Sequence, residues 1–274
     1  MTKTYTITGG TGYIGSQALK LLSLDKNNKI YAIVRSNSNR KIENENIEYV
    51  TYDGTEASIK EAIKNSDYLI HLAALYSTKT DEETTLDLIQ SNIGFSTMLF
   101  NLANKVNKNI VISSASTFSS LDKDVAYAPS SLYAATKSAV ETIAKYYSDL
   151  SVHFLTLPDT YGEDDWRPKI HNILLKNKNW PFEFRSPSTQ EMRIMHVEDV
   201  IGHFLKSLEN GEKGVHFHDI YAEAELLTLK ELSERITSKE CKFNESAEKV
   251  LIPEKARSFS TKTGYENKIK KFKL

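Results

Sequence analysis

Tyr133 and Lys137 stand four residues apart in Tyr133-Ala134-Ala135-Thr136-Lys137. A helix would place them on one face. A free tyrosine titrates at about 10, too high for proton transfer near neutrality. A neighbouring ammonium favours the phenolate, so Lys137 is expected to bring Tyr133 into range. Ser113-Ser114-Ala115-Ser116 closes an apolar run, Asn109-Ile110-Val111-Ile112, that reads as a strand. A hydroxyl at the C-terminal end of such a strand can donate to a carbonyl while Tyr133 gives or takes the proton. Ser114 is the first candidate and Ser116 the reserve. The bland alternative is a hydroxyl that ties down a turn.

A second group of residues lies near the N-terminus. Thr8-Gly9-Gly10-Thr11-Gly12-Tyr13-Ile14-Gly15 follows one short β-rich run, Tyr5-Thr6-Ile7-Thr8, and opens a helical pattern. Gly9 would let the chain turn off the strand. Gly12 would admit a pyrophosphate to the backbone N–H groups, and Gly15 would let the helix pack closely. The helix N-terminus then faces the phosphate charge. Gly9, Thr11, Gly12, Tyr13, Ile14 and Gly15 are therefore expected around a dinucleotide. The residue at the end of the second strand selects the cofactor: an acid suits a ribose 2′-hydroxyl, an arginine a 2′-phosphate. Here it is Arg35, with Arg40 close behind and no acid at the strand end, so NADP is expected over NAD. Asp53, after the third strand, could accept from the adenine amino group or hold a turn. Leu72-Ala73-Ala74 ends the fourth strand with small side chains that leave room for a cofactor.

The elements that must position these residues alternate in period. Strand-like runs fall at 5–8, 29–34, 47–50, 68–72, 109–113 and 152–157. Helical patterns fall at 13–24, 56–64, 83–106 and 131–147. Strand, helix, strand, helix predicts an α/β fold, a Rossmann-type doubly wound parallel sheet. After Pro158 the rhythm breaks. A dinucleotide-binding domain over 1–158, rejoined by 191–214, and a small C-terminal substrate lobe from 159–190 and 215–274 are expected.

Composition sets the outer limits. With 274 residues, 40% of them hydrophobic and 26% charged, the chain can bury a sizeable core. The formal net charge of -1 offers no field for nucleic acid or an anionic membrane. A single cysteine, Cys241, permits neither an internal disulfide nor a Cys-based metal site. No apolar run is long enough to cross a bilayer, and no signal-peptide core is visible, so a cytoplasmic address is expected. His71 sits inside a buried strand and reads as a satisfied core histidine. His196 precedes a helix and reads as a cap. His216 and His218 alternate on a strand without a third ligand, so no metal is expected.

Taken together, these residues resemble the extended short-chain dehydrogenase/reductase family, the group of NAD(P)-dependent nucleotide-sugar epimerases, dehydratases and reductases. The matching pieces are the glycine turn, Asp53, His71-Leu72-Ala73-Ala74, Asn92, Ser113-Ser114-Ala115, Tyr133-x-x-x-Lys137, Tyr161-Gly162 and His196-Val197-Glu198-Asp199-Val200. The resemblance implies that Ser114, Tyr133 and Lys137 are the catalytic set and Asn92 a supporting residue. It implies that Lys137 also holds the cofactor ribose, that Ser113 and Pro158 border the cofactor, and that Tyr76, Ser116, Asp159 and Arg193 face the substrate. It also implies a homodimer through the helices at 83–106 and 131–147. Within the family, Arg35 and His71-Leu72-Ala73 followed by Tyr76 and Lys79 resemble bacterial synthases of CDP-linked dideoxy sugars such as CDP-abequose, NADPH-dependent 4-keto reductases.

The chain departs from the family pattern in two places. Arg-x-x-Asn-x-Tyr-Gly is here Thr156-Leu157-Pro158-Asp159-Thr160-Tyr161-Gly162, and a carboxylate at 159 would repel a sugar-nucleotide phosphate. The family's arginine four residues before His196 is Met192, with Arg193 one place along. A pyrophosphate would then need Arg167, Arg185, Arg193 or Arg257. The leading expectation is an NADP-dependent keto-sugar reductase acting on a small-molecule substrate. An epimerase with retained cofactor and a non-catalytic NADP-binding redox sensor remain as alternatives.

Overall fold

In the computed structural model, residues 2–121 and 127–254 are described; Arg257 and the basic C-terminal end lie outside them. The elements follow the alternation. They are β1 (Thr4–Thr8), α1 (Tyr13–Leu22), β2 (Lys29–Arg35), β3 (Ile47–Tyr52), α2 (Lys60–Lys64), β4 (Tyr68–His71) and α3 (Glu82–Leu88). A π-helical turn (Ile89–Gly94) joins α3 to α4 (Phe95–Val106). Then come β5 (Val111–Thr117), a short 3-10 turn (Phe118–Ser120), α5 (Leu132–Ala144), β6 (Ser151–Leu157), β7 (Asp159–Tyr161), α6 (Ile170–Lys176), β8 (Phe182–Phe184) and β9 (Glu191–His196). The chain continues through α7 (Val197–Ser207), β10 (Gly214–His218), β11 (Glu225–Thr228), α8 (Leu229–Ile236) and β12 (Cys241–Phe243).

Seven strands form one parallel sheet in the order β10-β6-β5-β4-β1-β2-β3. Successive side chains on a strand point to opposite faces. Leu69 and Ile112 therefore pack with Phe100 and Val140 from α4 and α5. Their neighbours Ile70 and Val111 pack on the other face with Leu19 of α1 and Phe204 of α7. Both faces are covered, which explains the unbroken apolar runs in the sequence. The strand order reverses between β1 and β4, where open α/β sheets form their ligand crevice.

Three boundaries differ from the sequence reading. Residues 215–218, assigned to the lobe, belong to β10, the seventh strand at the sheet edge. Its mixture of His and Phe, half-buried at an edge, carries no buried-strand pattern. The segment from 191 does not return to the main sheet at once, because β9 first pairs with β7 and β11 in a three-stranded sheet. Only α7 then packs on the main sheet, burying Val197, Val200, Ile201 and Phe204 at helical spacing. Finally, the long helix expected over 83–106 is interrupted by the π turn. The lobe has its own core of Tyr161, Leu174, Phe184, Ile194, Leu227 and Leu232.

Candidate active site

At the end of β1 the chain turns through Gly9, whose φ of +73° lies in the left-handed region. A Cβ there would meet the Ala73 nitrogen and the Leu72 carbonyl carbon at 2.7 Å, so β1 and β4 touch through this glycine. At Gly15 a Cβ would fall 2.2 Å from the Gly9 oxygen. Gly15 thus packs α1 on the turn's own backbone rather than on the sheet surface. The Gly12 N–H donates to the Gly9 oxygen at 2.9 Å and closes the turn.

The turn forms one wall of a cavity of about 490 Å³, lined also by Thr8, Thr11, Leu72, Ala73, Ala74 and Arg35. Residues 37–40, Tyr52, Gln90 and Ser91 also line it. Among the described residues lining this cavity there is no carboxylate, and there are two guanidinium groups, Arg35 and Arg40. Arg40 lies over the Trp166 ring at 4.7 Å. Residues 37–39 were missed in the sequence because Asn, Ser and Asn read simply as a polar connection. Tyr52 and Gln90 had no motif to mark them.

Other expected cofactor residues are turned elsewhere. Tyr13 is buried beside the Trp166 ring edge, with the Arg167 guanidinium 4.3 Å from its ring centre and its hydroxyl donating to the Glu163 carbonyl. Ile14 packs against the core. These two residues can offer a ligand only their backbone. The Asp53 carboxylate accepts from the Thr55 N–H at 2.9 Å and the Thr55 hydroxyl at 2.7 Å. These bonds hold it below the usual carboxylate range, and it lines no part of the cavity. Asp53 is thus a turn residue in this fold. Ser113 Oγ bonds Ser207 Oγ of α7 at 2.8 Å, on the opposite face of the sheet from Ser114. Pro158 is buried where the chain leaves β6 for β7 and does not border the cavity.

Ser114 is fully buried on β5, and its Oγ has no hydrogen-bond partner among the described residues. An unpartnered buried hydroxyl is costly unless a ligand completes it. Tyr133 and Lys137 both lie on α5, whose N-terminus is capped by Ser131 accepting from the Ala134 N–H. The Tyr76 ring stands edge-on to Tyr133 at 5.1 Å. Burial, with Tyr76 beside it, pushes the Tyr133 phenol up to about 12. In the fold alone, burial therefore outweighs any lowering of the phenol by Lys137. Burial also brings Lys137 down to about 8, while Glu141 acts to raise it.

A polar chain links the two halves of this site. The Ala73 N–H donates to Thr8 Oγ1 at 3.2 Å, and Thr8 Oγ1 lies 2.7 Å from His71 Nδ1. His71 Nε2 lies 2.8 Å from Ser96 Oγ, which donates to the Asn92 carbonyl at 2.6 Å. The Asn92 side chain accepts from the Leu75 N–H at 2.7 Å and donates to the Leu75 carbonyl and to Thr136 Oγ1, each at 3.0 Å. Thr136 Oγ1 donates to the Tyr133 carbonyl at 2.7 Å. His71 is thus a satisfied core histidine, held down to about 3 by burial and the Lys137 charge. His196 caps α7 by accepting from the Glu198 N–H.

The four residues expected at the substrate differ in their surroundings. Tyr76 is exposed beside Tyr133. Ser116 donates to the Glu141 carboxylate instead of facing outward. Asp159 is paired with Lys169, which offsets the repulsion expected toward a phosphate. Arg193 donates to the Ala224 carbonyl at 3.1 Å and lies over the Tyr221 ring at 5.4 Å. Arg167 grips Asp165 through two hydrogen bonds. Among the described residues no group of three or more His, Cys, Asp or Glu is placed to hold a metal ion. No helix among them is long and apolar enough to cross a membrane.

The glycine cradle, the guanidinium-lined cavity and the Tyr133–Lys137 pair above a parallel sheet define an NAD(P)-dependent enzyme of the extended short-chain dehydrogenase/reductase type. The family model "NAD dependent epimerase/dehydratase family" matches residues 5–222, and the chain belongs to that family. It is 25% identical over 272 residues to CDP-abequose synthase of Salmonella muenchen, covering 94% of this chain and 91% of that protein. It is 27% identical over 239 residues to UDP-glucuronate 4-epimerase 4 of Arabidopsis thaliana, covering 77% of this chain and 55% of that one. Among solved structures, UDP-N-acetylglucosamine 4-epimerase from Methanobrevibacter ruminantium, in complex with UDP-N-acetylmuramic acid, superposes with a TM-score of 0.78 at 21% identity. That match covers 96% of this chain and 94% of the epimerase. MoeE5 in complex with UDP-glucose and NAD superposes at 0.74 with 19% identity, covering 91% and 87%.

Proposed function

We propose that this protein is an NADP-dependent reductase of a keto-sugar, with a nucleotide-linked 4-keto-6-deoxyhexose as substrate. The observation that carries the reading is the cavity beside the glycine turn, which presents Arg35 and Arg40 and no carboxylate. An arginine there suits a 2′-phosphate. The end-to-end similarity to CDP-abequose synthase supports the sugar class.

The cradle suits a dinucleotide, since Gly9, Thr11 and Gly12 line the cavity and two of the three bring no side chain into it. When bound, the nicotinamide supplies the hydride. The chain's own residues do the rest. The Ser114 hydroxyl, without a partner in the fold, donates to the carbonyl oxygen and polarises it. Tyr133 Oη donates the proton to that oxygen. A phenol pushed up to about 12 is held protonated at neutral pH, as a donor in a reduction must be. Lys137 holds the ribose and, as an ammonium, stabilises the phenolate left behind. Asn92 fixes the Leu75 backbone against α5.

The test is NADPH oxidation against 4-keto-6-deoxy sugars linked to CDP, GDP, UDP and dTDP, with Tyr133→Phe as control. Turnover on one member, lost in the control, supports the reading. NADPH binding with no turnover on any member overturns it. A second reading, an epimerase with retained cofactor, is favoured by the structural neighbours, of which MoeE5 is described with NAD. Tightly bound NAD in the purified protein would select it. We also propose a homodimer through α3, the π turn, α4 and α5, where Leu86, Ile89 and Leu132 are exposed; light scattering at monomer mass would refute it.

A further inference from the structure

Tyr133, Lys137 and Glu141 fall at successive four-residue steps on α5, so they share one face of the helix. Lys137 is 5% exposed. A buried ammonium is stable only when a counter-charge accompanies it; otherwise the group sheds its proton. Ser116, the residue expected at the substrate, donates its hydroxyl to Glu141 and so fixes the carboxylate from the end of β5.

We propose that Glu141 is a positioning residue of the Tyr133–Lys137 site: anchored by Ser116, its carboxylate keeps buried Lys137 as the ammonium that the chemistry needs. The inference deepens the reductase reading and rests on it for the use made of Lys137. Among the described residues, the other groups around Lys137 supply no compensating charge. His71, facing it from β4, is held neutral by burial. Tyr133, one turn before it, is a neutral phenol at working pH, and Tyr76 lies beyond that ring. Glu141 is the charge that opposes desolvation of the lysine. An exposed helical Lys–Glu pair would be a minor contribution. Here the lysine is buried, and its protonation state follows the carboxylate.

The test reads the lysine directly. Protein labelled with 13C-lysine is titrated by NMR, and the Lys137 Cε signal is assigned by its loss in Lys137→Met. The midpoint is compared in the wild type, Glu141→Gln and Glu141→Asp. The neutral Gln variant is expected to titrate lower by about one pH unit or more, and Asp, which keeps the charge, to recover part of the shift. Equal midpoints in the wild type and Gln, or equal displacement by Gln and Asp, would overturn the proposal. A second titration uses wild-type protein labelled with 13C-glutamate and needs a variant only for assignment. The Glu141 Cδ signal, assigned through Glu141→Asp, is expected to show a second inflection at the Lys137 midpoint. Its absence also overturns the proposal. Neither titration uses substrate or cofactor, so failure of the reductase reading and failure of this one are told apart.

Discussion

His71 Nε2 lies 2.8 Å from Ser96 Oγ, and that contact gives the buried polar chain beneath the site a single direction. Ser96 donates onward to the Asn92 carbonyl, so it must accept from Nε2–H. Nδ1 is then left to accept from Thr8. A histidine bonded this way can take a second proton only if the Thr8 hydroxyl turns from donor to acceptor. His71 is held to about 3, and His153, also buried, to about 4, whereas an unfolded histidine titrates near 6.5. The unfolded chain therefore binds protons that the folded chain refuses. Stability is expected to be full above about pH 6.5 and to fall as pH drops toward 4. The slope is about 1.4 kcal/mol per pH unit for each histidine. Urea unfolding at several pH values measures it. His71→Gln should flatten the slope, and an unchanged slope would remove His71 from the account.

Gly15→Ala is expected to be more damaging than its small size suggests. The new methyl would meet the Gly9 oxygen at 2.2 Å and the Gly9 carbonyl carbon at 2.8 Å, both backbone atoms that cannot rotate away. Overpacking of this kind costs about 1–3 kcal/mol. Relief by opening the turn would also disperse the N–H groups meant for phosphate. Thermal unfolding and NADPH titration should both register the change; a variant with wild-type NADPH affinity would show that the turn yields without consequence.

Arg35→Asp should reverse cofactor preference. A charge-assisted hydrogen bond is worth about 1.5–3 kcal/mol, so NADPH affinity should fall by about ten- to a hundred-fold. NADH, which lacks the 2′-phosphate, should bind as well as before. Fluorescence titration with both nucleotides decides it. Equal losses would mean that Arg35 contacts something other than the 2′-phosphate.

Asn92→Ala should separate catalysis from cofactor binding. Its side chain holds the Leu75 backbone and Thr136, which in turn bonds the Tyr133 carbonyl. Displacement of a proton donor by about 1 Å can cost about a hundred-fold in rate. A fall of tenfold or more in kcat is expected, with NADPH affinity changed little. An unchanged kcat would reduce Asn92 to a structural residue.

Much of this arrangement was legible in the sequence because it depends on local pattern. The glycine turn declares itself by its spacing after a strand, and the Tyr133–Lys137 pair by one helical turn. Strand alternation likewise separates Ser113 from Ser114, yet the sequence does not say which helices cover each face, and only the fold brings Ser207 of α7 to Ser113. Asp53 and Asp159 show the same gap at the level of partners. Thr55 and Lys169 decide what those carboxylates do, and only the fold brings Lys169 to Asp159. Glu141 escaped notice because a lone glutamate on a helix usually faces water; its meaning depends on Ser116 from a different element. The seventh strand was hidden by its composition, since a half-buried edge strand need not be apolar.

The π turn at Ile89–Gly94 has a consequence for how the chain can change over time. A π turn amounts to one extra residue in an otherwise α-helical course, and each residue turns an α-helix by about 100°. Deleting a single residue there would regularise the helix while swinging α4 around its axis. Leu99 and Phe100, now buried against the sheet, would leave the core, or Asn92 would leave Leu75. The segment between α3 and α4 is therefore closed to single-residue insertions and deletions, whereas point substitutions on its outer face remain open.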